Sequence, residues 1–495
     1  MSTLVFDIIC SMSQAEKRYF RRYSTLHSET KENKYVQLFD YMDGAKQYDA
    51  SALKVKLGAK YYAQEKRHLY TKLLDALREF HKNKGAEANS SKLIAYHLLL
   101  LDKGLTQQAA KELEKAKMLA IEKERHYDLI KLMQMETGLL REETDLNILD
   151  SHLLEQRRQL SVSMLILDKE LQYEQEYLNI VKWNKEIEFA RTERELKALR
   201  SILSKPIFKE EPITISTKSR IYFHYTKGLF YFFNGAFNES INHFEQQLNL
   251  FHAYPHTATD HPKMYARSIG NYCLLNIKLG DEAKCIMGLN YLKTMPFTTL
   301  STAKYSMYLE YMLGLMLPVK INQYEKAISH IETHSVQFNL LDTAYKEWYL
   351  EWVYVCFNSV AAYMGIGEYK LALKHLNHYL NTADPNLKQD VYCIGRVVNL
   401  LIHFELNNRD LLEYILESTY KYLKGKNRLF GFEKAIISFI KASLNAGLES
   451  ERKNLFASLR KQLVPLKNDR FEKNVFEYFD FIGWIDRTAN KNAIN

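Results

Sequence analysis

An all-α fold built from repeated helical hairpins is what this 495-residue sequence predicts, and three features carry the prediction. Helix-interrupting residues are scarce, with 18 Gly and 8 Pro, and no Pro precedes Pro206. The eight prolines (Pro206, Pro212, Pro255, Pro262, Pro296, Pro318, Pro385 and Pro465) fall where amphipathic stretches stop, as a residue without an N–H should. Third, a turn residue followed five places later by a small residue recurs: Gly104/Ala109, Gly235/Ser240, Asn322/Ala327 and Gly367/Ala372, with weaker copies at Gly280/Ala283 and Asn407/Leu412. From Ser240 onward the second members are 43, 44, 45 and 40 residues apart. A repeating step of this size marks stacked supersecondary units.

Residues 1–85 read as a compact helical module. Helices are expected at 13–24 with Ser13 as N-cap, at 33–43, at 50–57 capped by Asp49 or Ser51, and at 61–82. The stretch holds 16 Lys+Arg against 10 Asp+Glu, so +6 of the chain's net +9 sits here. Two readings stay open: a helical cap with a solvated basic face, or a surface that touches phosphates. The start, Met1 to Cys10, has no basic n-region and carries Asp7 inside its apolar run, so no secretory signal is expected. The longest apolar run, Leu93 to Leu101, is interrupted by His97 and too short to span a bilayer. Five scattered cysteines without a C-x-x-C spacing predict reduced thiols in a cytoplasmic protein.

A first helical segment is expected over 86–203. It opens with Gly104-Leu-Thr-Gln-Gln-Ala109 and Ala116, continues with helices at 126–143 and 145–162, and ends in a charged helix over 164–203 broken near Asn184. Residues 204–217, with Pro206 and Pro212, read as a linker. Residues 218–495 then carry the longer run of hairpins, closed by helices over 432–440, 454–463 and 471–485. The best-formed unit is Ile221–Tyr254. With Ile221 as position 1, Gly228 is at 8, Tyr231 at 11, Gly235 at 15, Ser240 at 20 and Phe244 at 24, and Pro255 follows the end. Small residues at 8 and 20 let two helices approach, and aromatics at 11 and 24 fill the space between them.

This pattern resembles the tetratricopeptide repeat (TPR), a helical hairpin of about 34 residues. Val360-Ala-Ala-Tyr363 with Gly367-Glu-Tyr-Lys-Leu-Ala372 is the strongest later copy. The resemblance implies an all-α, right-handed α-solenoid with the helical N-terminal module at one end. It also implies that positions 2, 5, 9 and 12 of each first helix line a concave surface. These are Tyr222, Tyr225, Leu229 and Phe232 in one unit and Tyr354, Phe357, Ala361 and Met364 in another, of which Tyr222, Tyr225, Leu229, Phe232, Tyr354 and Phe357 are the expected partner-binding residues. The family members that clamp a C-terminal carboxylate use Lys, Asn and Arg at such positions, and this sequence departs from them. An apolar, aromatic surface suits a peptide, an amphipathic helix or a partner subunit. Phe476, Phe479, Phe481 and Trp484 make the C-terminal stretch itself a candidate occupant, by folding back or by self-association. The alternative is a regulator similar to those that join a helix–turn–helix to such repeats, although 1–85 shows no helix opening with base-reading Arg, Asn or Gln.

Chemistry is sparse. His252, His256, Asp260 and His261 crowd one Pro-flanked stretch, but their spacing fits an inter-repeat loop better than a zinc site. His330 and His334 share a helical face, with Glu332 misplaced for H-E-x-x-H, and are expected in solvent or beside Tyr324. No G-x-S-x-G, phosphate-binding loop or dinucleotide fingerprint occurs, and Met364-Gly-Ile-Gly-Glu reads as an inter-helix turn. No catalytic residue, metal or organic cofactor is expected. Trp348 and Trp352, one turn apart, and Tyr345 with Tyr349 read either as core or as a recognition stripe. For the basic module, binding to nucleic acid should be weak, without sequence preference, and should fade steeply between about 50 and 200 mM salt. A fluorescence titration finding tight, sequence-selective binding at physiological salt would contradict this.

Overall fold

Two helices joined by a short turn need one residue with a left-handed backbone to reverse the chain. All six turn positions read from the sequence adopt it, with φ of 72° at Gly104, 70° at Gly235, 80° at Gly280, 60° at Asn322, 82° at Gly367 and 53° at Asn407. Each is followed by an N–H that reaches back over the turn, as in Ala236 N to Tyr231 O and Glu368 N to Tyr363 O, both 2.9 Å. These bonds satisfy carbonyls that a helix end leaves open. Five residues past the turn the chain is buried: Ala109, Ser240, Ala327 and Ala372 are 0% exposed and Leu412 2%. The Gly280 turn differs from the expected assignment, because Ala283 is exposed and the fifth residue, Cys285, is buried. Position relative to the turn, rather than small size alone, decides which residue faces the first helix. Glu124 and Asn427, with φ of 52° and 55°, make two more such turns, with Leu129 and Phe432 buried five residues on.

The computed structural model describes residues 3–26, 34–45, 47–57, 59–82, 86–140, 146–295, 299–446 and 449–491. Among them no strand occurs, and no helix is long and apolar enough to cross a membrane. The chain forms two compact units, Met1–Leu160 and Ser161–Asn495. The first contains α1 (Leu4–Ser11), α2 (Gln14–Leu26), α3 (Lys34–Asp43), α4 (Ala50–Leu57) and α5 (Ala59–His81) around a core of Phe20, Leu38, Phe39, Leu69 and Leu73. Helix α1 was not expected from the sequence; its Val5 and Ile9 bury one turn apart as it packs on α3 and α5. Part of the basic charge is paired internally: Lys17 with Asp43 at 2.6 Å, and Arg21 with Asp40 and Asp43 at 2.8 and 2.7 Å. Helices α6 (Ala86–Asp102), α7 (Thr106–Glu122) and α8 (His126–Leu140) follow, with a separate small core of Leu113, Ala116, Leu132 and Met133.

Helix α9 (Leu146–Glu186) replaces the two helices expected over 145–162 and from 164 on. Nothing between 146 and 186 is Gly or Pro, so nothing stops it. Residues 141–145, where the expected helix boundary fell, lie outside the described residues. The break comes at 187–192, where the N–H groups of Glu188 and Phe189 bond to the Asp390 carboxylate at 3.0 Å instead of to helix carbonyls. After α10 (Glu193–Leu203), the stretch expected as a linker is packed: Phe208 is buried and the Tyr173 hydroxyl donates to Ile207 O at 2.7 Å.

The hairpins of the second unit are α11 (Thr217–Phe233) with α12 (Phe237–Ala253), then, after the short α13 (Pro255–Asp260), α14 (Pro262–Leu279) with α15 (Glu282–Thr294). The expected loop around Pro255 is thus helical, because Pro suits the first position of a helix. Next come α16 (Leu300–Lys320) with α17 (Tyr324–Thr333), α18 (Ser335–Thr343), and α19 (Tyr349–Gly365) with α20 (Tyr369–Thr382). The last are α21 (Gln389–Glu405) with α22 (Arg409–Gly425), α23 (Gly431–Asn445) with α24 (Glu449–Leu466), and α25 (Phe481–Lys491). Successive hairpins pack on one another, α14 on α16 and α16 on α19 among them. The C-terminal aromatics cover the last hairpins: Phe481 packs on Phe432 at 4.6 Å, and Trp484 lies among Phe404, Phe439 and Phe456.

A buried ionic hub holds 187–195 to the closing helices. Arg191 forks onto Glu433 and reaches Glu472 at 2.7 Å, while Lys388, fully buried and left-handed at φ 48°, binds Asn184 at 2.7 Å and Glu188 at 3.4 Å.

Close approach in the hairpin is testable at Gly228, where an added Cβ would lie 2.8 Å from the Phe244 ring. Gly228→Ala should cost about 1–3 kcal/mol despite the better helix propensity of Ala. Gly425→Ala, with nothing within 4 Å, should be neutral or slightly stabilising in the same urea titration. Equal effects would contradict the packing argument.

Candidate functional site

The first helices of four successive hairpins turn one stripe each toward a common cavity of ≈ 380 Å³ in the second unit. The stripes advance by four and three residues, the spacing that keeps side chains on one helix face. Helix α11 gives Tyr225, Leu229 and Phe232; α14 gives Arg267, Asn271 and Leu274; α16 gives Tyr305, Leu309 and Met312; the start of α19 gives Glu351 and Tyr354, with Glu347 just before it. The end of α9 and the 346–350 stretch close the rim. Such a volume lies near the small end of the range for small-molecule sites.

Four of the six residues expected at a partner surface, Tyr225, Leu229, Phe232 and Tyr354, therefore line one cavity. Tyr222 and Phe357 do not. Tyr222 is buried and packs on Tyr177 at 5.1 Å, and Phe357 is buried against Tyr379 at 6.2 Å. The aromatic stretch divides likewise: Trp352 is core, its indole N–H on Asp342 at 2.8 Å, whereas Trp348 is a cavity wall stacked on Tyr305 at 5.0 Å. Of the C-terminal aromatics expected as a self-occupying segment, Phe479, Phe481 and Trp484 are buried in the core and Phe476 packs against it, and none of the four lines the cavity.

The walls differ in chemistry. Helix α11 contributes an apolar, aromatic side, with Tyr225 edge-on to Phe244 at 5.7 Å. Helices α14 and α19 bring charge, which the sequence reading did not place there. Arg267 is partly buried and donates to the hydroxyls of Tyr177 at 3.1 Å and Tyr305 at 3.3 Å. Burial raises the Tyr305 hydroxyl well above the usual phenol range, and the nearby Glu351 carboxylate adds to this. Burial also raises Tyr225. Both stay neutral, so they neutralise no part of the guanidinium. Glu351 is 9% exposed and its carboxylate has no hydrogen bond or ion pair among the described residues. Arg267 likewise has no carboxylate partner among them. Two opposite charges thus face one cavity without meeting each other. At the rim Lys185, Lys263 and Lys346 are exposed, Lys263 lying 4.7 Å over the Trp348 ring. Tyr354 is pinned by its hydroxyl to Glu188 at 2.7 Å, which ties the cavity wall to the ionic hub.

The histidines singled out earlier sit apart from this cavity. His252 meets the Tyr265 hydroxyl at 3.0 Å, and His330 stacks on Tyr311 at 5.4 Å rather than beside Tyr324. Among the described residues no three His, Cys, Asp or Glu side chains gather as a metal site would require. No protein-family model matches the chain, and no curated protein is similar enough to count as a match.

A buried carboxylate without a partner costs stability rather than adding it. Glu351→Met should therefore leave the free energy of unfolding unchanged or raise it. Arg191→Met, which strands the fully buried Glu433, should lose about 3–5 kcal/mol. Urea denaturation of both variants checks the contrast; equal losses would mean that Glu351 is a structural residue.

Proposed function

We propose that this chain is a non-catalytic, cytoplasmic binding scaffold, a solenoid of TPR-like hairpins that holds a partner on its inner aromatic surface. The observation that carries the reading is the convergence of Tyr225, Leu229, Phe232 and Tyr354, from hairpins more than a hundred residues apart, on one cavity. Residues that served only to pack the hairpins would close on each other, as Phe357 and Tyr379 do. The cavity takes a side chain or a chain end of the partner, and the partner is a peptide, an amphipathic helix or another subunit. Five unpaired thiols, four of them buried, suit a reducing compartment. The C-terminal aromatics lie against the chain's own last hairpins, so a second copy would have to dock through another surface.

The test is affinity purification of the full chain from extracts of cells that make it. A partner retained by the wild type should be lost on Leu309→Trp, which fills the cavity. Tyr225→Ala should weaken its capture by more than about 1 kcal/mol, the scale of an interface anchor. Phe357→Ala should lower the melting temperature and leave binding per folded molecule unchanged. A partner that Leu309→Trp still retains fully would move the binding surface elsewhere.

A further inference from the structure

The cavity holds more than an aromatic surface needs. A guanidinium with five N–H donors finds only phenol oxygens, those of Tyr177, Tyr305 and Tyr225, and Glu351, a residue 9% exposed, has no bonded partner among the described residues. Each therefore keeps bonding capacity open to the cavity, and a ligand that displaced the water there would have to meet it. Both line the same ≈ 380 Å³, as does Tyr305, whose hydroxyl accepts from Arg267 at 3.3 Å. The rest of the lining is apolar or aromatic: Leu229, Phe232, Leu309, Met312 and Trp348.

We infer that the cavity binds a small zwitterion with an apolar or aromatic body, its carboxylate on Arg267 and its ammonium on Glu351. A free α-amino acid and a short peptide share this chemistry. The planar fork of Arg267 suits a carboxylate, and Glu351 can accept the three N–H donors of an ammonium only one or two at a time. Asn271, which donates to the Tyr225 hydroxyl at 3.4 Å, and Tyr305 remain to complete the polar shell. A simple organic anion would satisfy Arg267 but leave Glu351 alone in a drier site. A simple amine would do the reverse. Only a ligand carrying both charges meets both, and the rim, where the exposed Lys185, Lys263 and Lys346 outnumber the exposed Glu347, favours entry of its acidic end. This inference rests on the cavity being the binding surface proposed above, and it names what the cavity selects.

Calorimetric titration and thermal shift on the full chain test it with four probes. They are L-phenylalanine, the dipeptide Phe-Phe, phenethylamine, which lacks the carboxylate, and 3-phenylpropanoate, which lacks the ammonium. At least one zwitterion should bind at least about tenfold more tightly than both singly charged analogues. Preference between phenylalanine and the dipeptide distinguishes a free amino acid from a peptide. Arg267→Gln should erase the discrimination against phenethylamine, and Glu351→Gln that against 3-phenylpropanoate, each with the melting temperature of the unliganded protein within a few degrees of the wild type. Equal binding of phenylalanine and 3-phenylpropanoate to the wild type would overturn the inference, as would unchanged selectivity in both variants. If no zwitterion binds while Leu309→Trp still loses a macromolecular partner, the inference fails and the scaffold reading stands. If that variant loses nothing as well, both fail.

Discussion

One backbone constraint recurs through this molecule, the left-handed residue that lets a helix end and the next begin alongside it. The bond that closes over it, Ala236 N to Tyr231 O in the clearest hairpin, satisfies an open carbonyl and fixes the direction of departure. Once that direction is fixed, the residue five places on must face the preceding helix. Ser240 and Gly228 show how tightly: the Ser240 hydroxyl donates to Gly228 O at 2.7 Å, and a Cβ at residue 228 would lie 2.8 Å from the Phe244 ring. The turn thus fixes the helix pair, and the helix pairs, stacked in order, fix which stripe of each first helix meets the cavity.

Stacking hairpins leaves the inner stripes facing one another, and what fills the space depends on side chains. In the later hairpins aromatic and branched residues close it, as around Trp352, Phe357 and Tyr379, all buried. Between α11 and the start of α19 they do not close it, and there the two unmatched charges sit. The contrast with the hub is instructive. Arg191 is only 3% exposed, yet it has two carboxylates to bind. Pairing of that kind gives a rigid junction; the absence of pairing at Arg267 and Glu351 leaves bonding capacity for something from outside.

Most of the architecture was legible in the sequence because it is written in local rules. Gly104, Gly235, Gly280 and Gly367 announce positive φ, and Asn322 and Asn407 do so nearly as well. Glu124 and Asn427 make the same turn, but Glu gives no such signal, and Phe432 in the buried place is not small. Helix α1 was lost for lack of length; the break expected near Asn184 comes at 187–192, but the Asp390 carboxylate that holds it, two hundred residues away, gives no local signal. The cavity was half legible. Tyr225, Leu229 and Phe232 follow from repeat position in the best-formed unit. Arg267 and Glu351 do not, because the lining stripe slides along successive first helices: its last residue is three before the turn in α11 (Phe232, Gly235) but thirteen before it in α19 (Tyr354, Gly367). A signal was present in the four-and-three spacing of Arg267, Asn271 and Leu274, but many helix faces share that spacing.

The central claim is that the space between α11, α14, α16 and α19 is a binding site and not merely a loosely packed interior. Trp348 forms its wall, while Trp484 is buried among the closing helices. Fluorine NMR of protein labelled with 5-fluorotryptophan, assigned with Trp348→Phe and titrated with phenylalanine and Phe-Phe, reads both at once. The account predicts that the Trp348 resonance moves saturably while that of Trp484 stays fixed. A Trp348 resonance that stays fixed throughout both titrations would contradict it.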